Sequence, residues 1–236
     1  MLKRAKSLTE QAADEIRARI VRGDFQLGAP LSENTLATEL GVSKTPIREA
    51  LLRLKMEGLV SIKPQRGSFV FDMAAAEIVE LGELRETLEV AALTLAARRN
   101  RSKLVADLEA VVAAMKAALD AGQFARYRTL DSDFHTAFFH HCGNSFFVSC
   151  YNGFAFRVQA LRARLANDPA LNRKSLGEHI EMVELLAEER AAEACTLLSR
   201  HVQGTIADYV SSLGRPPPER AATLRLSGST GLAGST

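Results

Sequence analysis

The stretch from Leu31 to Val70 constrains the fold most, because it carries the start and stop signals of two short helices in close succession. Ser32 is a good N-cap for the first helix, and Gly41 ends that helix where the chain must turn sharply. Ser43 then caps a second helix, which tolerates Pro46 because proline fits the first turn. This spacing predicts a helix-turn-helix.

The residues after the second helix have the pattern of a small two-stranded wing. Gly58 closes the helix, Leu59 to Ile62 is typical of a strand, and Pro64 to Gly67 is typical of a turn. Phe69 to Phe71 then forms the second strand. Residues 1–72 are therefore predicted to be a winged helix-turn-helix domain.

A support helix is expected before this motif. Ser7 and Glu10 fit a capping box, and the apolar residues that follow lie on one side of a helix that runs to about Arg22. The segment FQLGAPL between this helix and the motif is predicted to be a loop.

In a winged helix-turn-helix, the second helix enters the major groove of DNA and its N-terminal residues reach base edges. Lys44 and Thr45 lie in the first turn of that helix, and Arg48 lies one turn further on. Gln65 and Arg66 lie at the wing tip, where a side chain can enter the neighbouring minor groove. The alternative interpretation is a solvated, amphipathic helical hairpin, because the spacing alone is a weak signal.

The residue identities in the motif are more specific than its spacing. LGVSKTPIREALLRLKMEGLV, the upstream IVRGDFQLGAPLSENTLATEL and the downstream GSFV resemble the DNA-binding domain of the GntR family of bacterial transcription regulators. The resemblance covers residues 7–71 and implies that Lys44, Thr45, Arg48 and Gly67 lie at the DNA. Asn34 stands where the family often has a DNA-contacting arginine. Lys44 also replaces a common arginine, and lysine cannot form a bidentate fork to guanine.

The rest of the chain is predicted to be an all-helical bundle from residue 73 to residue 214, so the fold class is mainly α. Its six segments have apolar residues at helical spacing, and glycine, asparagine or proline marks most of the breaks between them. The proline, glycine and serine content of residues 215–236 predicts a disordered tail. The predicted helices are Glu77 to Arg99, Ser102 to Ala121, Phe124 to Cys142, Ser145 to Leu165, Leu171 to Glu189 and Ala191 to Leu213.

Charge and cysteine content narrow the class of protein. Residues 1–71 carry 12 Lys and Arg against 8 Asp and Glu, whereas the remainder carries 18 against 20. A basic head on an acidic body suits DNA binding by the head. The three cysteines form no CxxC pair, which argues for a reducing compartment. The sequence shows no secretion signal and no apolar run long enough for a membrane span, so we expect a cytoplasmic protein without a membrane partner.

Four residues of the bundle could share a metal ion. Asp131 and His135 are four apart and lie on one helical face, and His179 and His201 each lie among apolar residues on later helices. One carboxylate and three imidazoles suit a divalent transition metal such as Zn²⁺ or Ni²⁺. Core histidines held by hydrogen bonds are the alternative, since three separate helices must converge.

Residues 77–213 resemble the FCD ligand-binding domain of the FadR-like branch of the GntR family. The metal-binding members have an Asp and a His at i, i+4 and two later histidines, and this resemblance implies that Asp131, His135, His179 and His201 are the ligands. It also implies that Arg85 lines the effector pocket, although Arg85 could equally form a helix-surface ion pair with Glu89. Asn152 and Arg157 are weaker effector candidates. We assign His140 and His141 no metal role.

The sequence as a whole predicts a transcription regulator. The resemblance implies that it binds a palindromic operator as a homodimer, and that it acts as a repressor, which is the commoner habit of the family. A small organic acid bound at or near the metal would control its affinity for double-stranded DNA. The alternatives are a sensor in which the metal alone is the signal and a metal-dependent enzyme acting on small carboxylic acids. The enzyme alternative leaves the winged domain unexplained, and neither HExxH nor a phosphate-binding loop supports it. The regulator interpretation therefore predicts no catalytic residues.

Overall fold

A computed structural model of the chain describes residues 5–165 and 168–213. Helices dominate it, and one small antiparallel sheet lies near the start, as the sequence predicts. The predicted tail, 215–236, lies outside the described residues. In chain order the elements are α1 (Leu8–Val21), β1 (Pro30–Leu31), α2 (Glu33–Leu40), α3 (Lys44–Met56), β2 (Val60–Lys63), β3 (Gly67–Val70), α4 (Ala75–Asp120), α5 (Phe124–His141), α6 (Ser145–Asn152), α7 (Ala155–Leu165), α8 (Pro169–Ala187) and α9 (Ala191–Ser212).

The head (residues 5–72) is a winged helix-turn-helix. Its start signal is the predicted capping box, in which the Ser7 hydroxyl accepts from the Glu10 amide and the Glu10 carboxylate accepts from the Ser7 amide. Gly41 ends α2 with φ 65°, a left-handed conformation that glycine adopts without a steric penalty. Ser43 occupies the N-cap position of α3, but its side chain makes no cap hydrogen bond.

The sheet of the head has three strands rather than the two that the sequence suggests. The segment FQLGAPL was predicted to be a loop, whereas its last residue, Leu31, and the preceding Pro30 form β1 and pair with Ser68 and Phe69 of β3. The strand order is β1-β3-β2. A two-residue strand has no periodicity that could identify it in a sequence. The additional pairing ties the start of the helix-turn-helix to the wing.

Two predicted helices of the bundle join into the long α4, which kinks at Asn100 (φ −143°, ψ 33°). The arginines beside the kink stabilise the ends of other helices. Arg99 donates to the carbonyl oxygens of Cys142 and Gly143 after α5, and Arg101 donates to those of Leu186 and Ala187 at the end of α8. The last carbonyl groups of a helix lack a full set of partners within the helix, and side-chain donors help to satisfy them. The kink therefore lies where α4 contacts both neighbouring helix ends.

The prediction of one helix from Ser145 to Leu165 is wrong. The chain forms two helices, α6 and α7, which a turn at Gly153 and Phe154 separates. The Phe154 side chain is buried and packs edge-on against Tyr151, so an apolar residue fills the turn itself. For this reason the apolar spacing continues through the break, and the sequence pattern does not reveal that the helix ends.

Two apolar cores hold the molecule together, one in the bundle and one in the head. The head core contains Ile16, Ile47, Leu51 and Leu54, and it also includes Ala160 from α7. The bundle core is built mainly from α4, α5, α8 and α9 around Phe134 and Phe138. Over the described residues, each helix is too short or too polar to span a membrane.

Candidate DNA interface and metal centre

The predicted DNA-contacting residues are all exposed. Three of them, Lys44, Thr45 and Arg48, lie in the first two turns of α3, whose other face is buried in the head core. The remaining ones lie at the start of α2 and at the wing tip, and they are Asn34, Gln65, Arg66 and Gly67. This arrangement presents polar groups on the helix that enters the major groove in winged helix-turn-helix proteins.

Arg48 has a partner that the sequence analysis did not identify. Its Nε donates to Glu33 Oε2 over 2.7 Å, and the Arg48 side chain remains 63% exposed. An exposed ion pair of this kind contributes little to stability. Glu33 therefore orients Arg48 in the free protein without preventing the guanidinium from reaching DNA.

The wing tip has an unusual backbone. Gln65 has φ 58° and Gly67 has φ 97°, so the turn passes through the left-handed region twice. Glycine suits the second position, whereas at Gln65 a side chain occurs in a conformation that residues other than glycine rarely adopt. The turn holds both residues and Arg66 at the exposed end of the β2–β3 hairpin.

The three predicted histidine ligands converge in the bundle. His135 on α5, His179 on α8 and His201 on α9 each offer a ring nitrogen, and these atoms lie within 4.8 Å of one another. The rings are buried, and their centroids are 4.7–5.3 Å apart. Three imidazoles at such distances can hold one transition-metal ion after small side-chain adjustments.

Asp131, the fourth predicted ligand, lies beside this cluster but has a nearer partner. Its Oδ1 is 3.8 Å from His179 Nε2, and its Oδ2 is 3.0 Å from Arg162 Nε. Burial acts to raise the pKa of Asp131, but the positive charge of Arg162, together with the neighbouring histidines and Arg85, outweighs burial and the pKa is lowered. Asp131 is therefore a carboxylate that Arg162 and a metal ion could share.

Two carboxylates orient the histidines, a role that the sequence did not indicate for either of them. Glu89 Oε2 is 2.7 Å from His135 Nδ1, and Glu178 Oε2 is 2.6 Å from His201 Nδ1. A carboxylate at Nδ1 favours the tautomer with the proton on that atom, which leaves Nε2 as a lone-pair donor. Glu178 directly precedes His179 in the sequence, and Glu89 is four residues after Arg85, so both resembled surface residues of a helix.

The hydrogen bonding and protonation of His179 indicate whether the cluster fits a metal ion. Both of its ring nitrogens are buried without a hydrogen-bond partner in the described part of the chain, while the ring stacks on Phe134 at 4.1 Å. Burial holds the pKa of His179 and of His135 well below the usual value for histidine, and nearby positive groups add to this effect. Neutral imidazoles with buried lone pairs are the form that binds a metal, so the donor set fits.

Arg85 forms the ion pair with Glu89 that the sequence offered as one alternative, and its role in an effector pocket stays a prediction. Its Nε donates to Glu89 Oε1 over 2.7 Å, and its Nη2 is 3.2–3.3 Å from the ring nitrogens of His135. The side chain is only 2% exposed, so the pair with Glu89 is buried rather than on the surface. Arg85 Nη1 has no hydrogen-bond partner within the described residues.

A cavity of about 70 Å³ opens beside the cluster, and His201, Asp131 and Arg162 form part of its wall. Among the residues that the structure describes, Arg162 Nη2 is buried without a hydrogen bond of normal geometry. Burial disfavours the charged form of Arg162, yet the Asp131 carboxylate together with other nearby acidic groups more than compensates and raises the pKa, so the guanidinium stays charged. Lys174 and Ser175 lie in the same wall. A small anion could reach Arg162 through this cavity.

The structure does not bring the two weaker effector candidates, Asn152 and Arg157, to this cavity. Asn152 is exposed at the end of α6, and Arg157 lies against Gly58 of the head. The break between α6 and α7 changes the direction in which both residues face. Arg162 was overlooked because AFRVQALRARL contains three arginines that sequence alone does not distinguish. His141, by contrast, pairs with Asp107 away from the metal cluster.

Comparisons with known proteins identify both parts of the chain. The model of the GntR family of bacterial regulatory proteins matches residues 8–70, and the FCD domain model matches residues 80–204. The chain is 31% identical over 160 residues to the gluconate operon transcriptional repressor of Bacillus licheniformis, which covers 66% of this chain and 65% of that protein. It is 28% identical over 180 residues to the HTH-type transcriptional regulator McbR of Escherichia coli, or 76% of this chain and 80% of that protein.

A solved structure has the same fold. A GntR transcriptional regulator from Rhodococcus sp. RHA1 superposes with a TM-score of 0.77 at 22% identity, over 87% of this chain and 99% of that one. The matched families and relatives are transcriptional regulators rather than enzymes, which removes the enzyme alternative. With the FCD domain alone covering more than half of its length, the chain belongs to the GntR family of bacterial regulatory proteins, as a DNA-binding transcription regulator with an FCD domain.

Proposed function

We propose that this regulator is a homodimeric, cytoplasmic repressor whose affinity for a palindromic operator is controlled by a small organic acid. The acid binds in the cavity beside a divalent transition metal ion. The ring nitrogens of His179 carry this proposal, because within the described residues they are buried without a hydrogen-bond partner and cluster with those of His135 and His201. Asp131 lies 3.8 Å from His179 and forms part of the cavity wall together with Arg162.

His135, His179 and His201 would hold the ion, and Asp131 would complete the set by turning away from Arg162. A bound Zn²⁺ or Ni²⁺ supplies positive charge and open coordination positions to a carboxylate. Glu89 and Glu178 fix the direction of the imidazole lone pairs. Arg162 then provides a charge-assisted hydrogen bond to the acid from the opposite wall.

The family of the chain suggests which acids to try first. One relative is a repressor of a gluconate operon, and gluconate is a small hydroxylated carboxylate. The cavity wall contains hydroxyl groups of Ser175 and Thr205 besides its charged groups. Sugar acids and other small hydroxy acids therefore come first in a panel of candidate effectors.

The acid controls DNA binding through a shift between two arrangements of the molecule. If acid binding favours one arrangement and operator binding favours the other, each ligand weakens binding of the other by the same factor. Symmetric helix-turn-helix dimers bind two half-sites at a fixed separation, so a change in the position of the heads is sufficient to lower affinity.

The first experiment selects genomic DNA fragments that the purified full-length protein binds. We expect the wild type to enrich a short palindrome and Lys44→Ala/Arg48→Ala to enrich none. Operator affinity is then measured with Zn²⁺, with Ni²⁺, and with each metal plus each acid of the panel, at one salt concentration because phosphate contacts depend on salt.

The outcomes separate the proposal from its alternative. Release of operator by one acid in the wild type, and not in Arg162→Lys, supports control by an acid. Release by metal alone, which no acid alters, would instead identify a metal-only sensor. Operator affinity that neither metal nor acid changes would contradict both.

A further inference from the structure

The helix α7 contacts both the metal and acid site and the DNA-binding head. On its bundle side, Arg162 Nε is 3.0 Å from Asp131 Oδ2, and Arg162 Nη1 donates to Ser132 Oγ over 3.2 Å. Val158 and Leu161 on the same helix belong to the bundle core. This side of α7 is therefore attached to α5, the helix that carries Asp131 and His135.

The other side of α7 forms part of the head. Ala160 is 3% exposed and is counted among the core residues of the head, and Phe156 packs against that core. The guanidinium carbon of Arg17, on α1, lies 5.1 Å from the centre of the Phe156 ring. Arg17 also makes two hydrogen bonds with Glu57 at the end of α3, so Phe156 contacts the residue that joins α1 to the DNA-reading helix.

A close approach between Gly58 and Arg157 strengthens this contact. A Cβ atom at Gly58 would lie 2.0 Å from Arg157 Nη2, so the guanidinium occupies the space that a side chain at Gly58 would need. Arg157 Nε is buried and makes no hydrogen bond within the described residues. A Cβ atom at Gly23, just after α1, would likewise lie 3.2 Å from Ala163 Cβ.

α7 is short and rigid enough to transmit a displacement. Arg162 and Phe156 are six residues apart on an uninterrupted helix, which places them about 9 Å apart along its axis. Whatever changes the partner of Arg162 at one end must move the whole helix or strain it, because close-packed interiors do not deform continuously.

We propose that α7 is the mechanical link between the site and the head, and that occupancy of the site changes how α1 is seated on Phe156 and Ala160. This proposal rests on the proposed function, because it takes the metal and acid to bind where Asp131 and Arg162 now pair. An Asp131 carboxylate that held a metal ion would no longer pair with Arg162, which would free α7, and an acid paired with Arg162 would hold α7 in a new position. The head follows through Phe156.

The test uses the full-length protein, the selected operator and Zn²⁺ as the probe. Phe156→Ala removes the ring under Arg17, and Phe156→Tyr is the matched control because it keeps the ring. Two quantities are measured for each protein: the affinity for Zn²⁺ without DNA, and the ratio of operator affinities with and without saturating Zn²⁺. Allosteric coupling between sites usually changes such a ratio about 5- to 150-fold.

We expect wild type and Phe156→Tyr to share one ratio in that range, and Phe156→Ala to bring the ratio within about twofold of 1. Affinity for Zn²⁺ should be equal in all three proteins. A Phe156→Ala variant that keeps the wild-type ratio overturns the link while leaving the proposed control by the site intact.

A second measurement covers the cases in which Phe156→Ala does not fold or Zn²⁺ alone does not change operator affinity. Hydrogen exchange of wild-type amides is compared with and without Zn²⁺. We expect altered exchange in residues 155–165 and in Leu8–Val21, and unchanged exchange there despite bound Zn²⁺ overturns the link. Failure to bind Zn²⁺ at all would instead contradict the metal site of the proposed function, and the link with it.

Discussion

Arg48 and Arg162 show how differently the two parts of the molecule use the same side chain. Arg48, in the head, pairs with Glu33 while its side chain stays 63% exposed. Arg162, in the bundle, pairs with Asp131 while its side chain is only 8% exposed. The head therefore presents Arg48 to water, where a DNA contact would compete only with a weak partner. The bundle buries Arg162, so any ligand of that guanidinium would have to replace a strong partner.

The largest effect should follow from breaking the buried pair. In metal-free protein, Arg162→Met leaves the Asp131 carboxylate buried without its partner, which typically costs about 3–5 kcal/mol of unfolding free energy. Arg48→Ala breaks the exposed pair and should cost less than about 1 kcal/mol. Chemical denaturation of the two variants measures both values. Equal losses would show that the two pairs do not differ as their burial indicates.

A double variant sharpens this comparison. Arg162→Met/Asp131→Leu removes both charges, so it should recover part of the stability that Arg162→Met loses, because no unpaired charge remains in the core. If the double variant is less stable than the single one, packing around Arg162 matters more than its charge.

The metal site provides the next largest effect. His179→Ala removes one of three converging ligands and should lower metal affinity by at least about 100-fold, since even changes to residues that orient ligands cost about 10- to 100-fold. Competition with a chelator measures this affinity. His141→Ala is the control, because His141 pairs with Asp107 away from the cluster and should leave metal affinity unchanged. Metal affinity that His179→Ala does not reduce would exclude His179 as a ligand.

Substitutions in the head should change the affinity for DNA rather than the stability of the protein. Arg48→Ala should lower operator affinity by about 1–3 kcal/mol, which corresponds to a factor of roughly 5 to 150. Glu33→Gln should leave operator affinity equal or higher, because it removes the partner with which DNA competes. Binding titrations with the selected operator measure both variants. A loss in Glu33→Gln as large as that in Arg48→Ala would mean that the pair, and not Arg48 alone, contacts DNA.

The smallest effect belongs to Lys44, a flexible point charge at the start of α3. If Lys44 contacts a phosphate, Lys44→Ala should lower the slope of log affinity against log salt concentration by about 1, almost independently of operator sequence. A change in preference between operator variants, with an unchanged slope, would assign Lys44 to a base instead.

Sequence predicted the head more completely than the bundle. Ser7, Gly41 and the wing turn act on their near neighbours, so the chain shows them as local patterns. The convergence of His135, His179 and His201 was also anticipated, from their spacing together with the resemblance to a family. The roles of Glu89, Glu178 and Arg162 depend on which helices meet, and each was indistinguishable from a surface residue of its own helix. The break at Gly153 and Phe154 was missed because a buried aromatic residue kept the apolar spacing intact.

The place of Ala160 in the core of the head matters for anyone who builds chimeric biosensors from this chain. A cut between Asp72 and Met73 would follow the domain boundary predicted from the sequence. It would nevertheless separate the head from the surface of α7 that packs against it. A foreign head joined there could bind its own promoter, and the bundle could bind its inducer, without any change in reporter output. A design rule follows for keeping such a sensor responsive. The residues of α7 that face the head, chiefly Phe156, Arg157 and Ala160, should be transplanted together with the head.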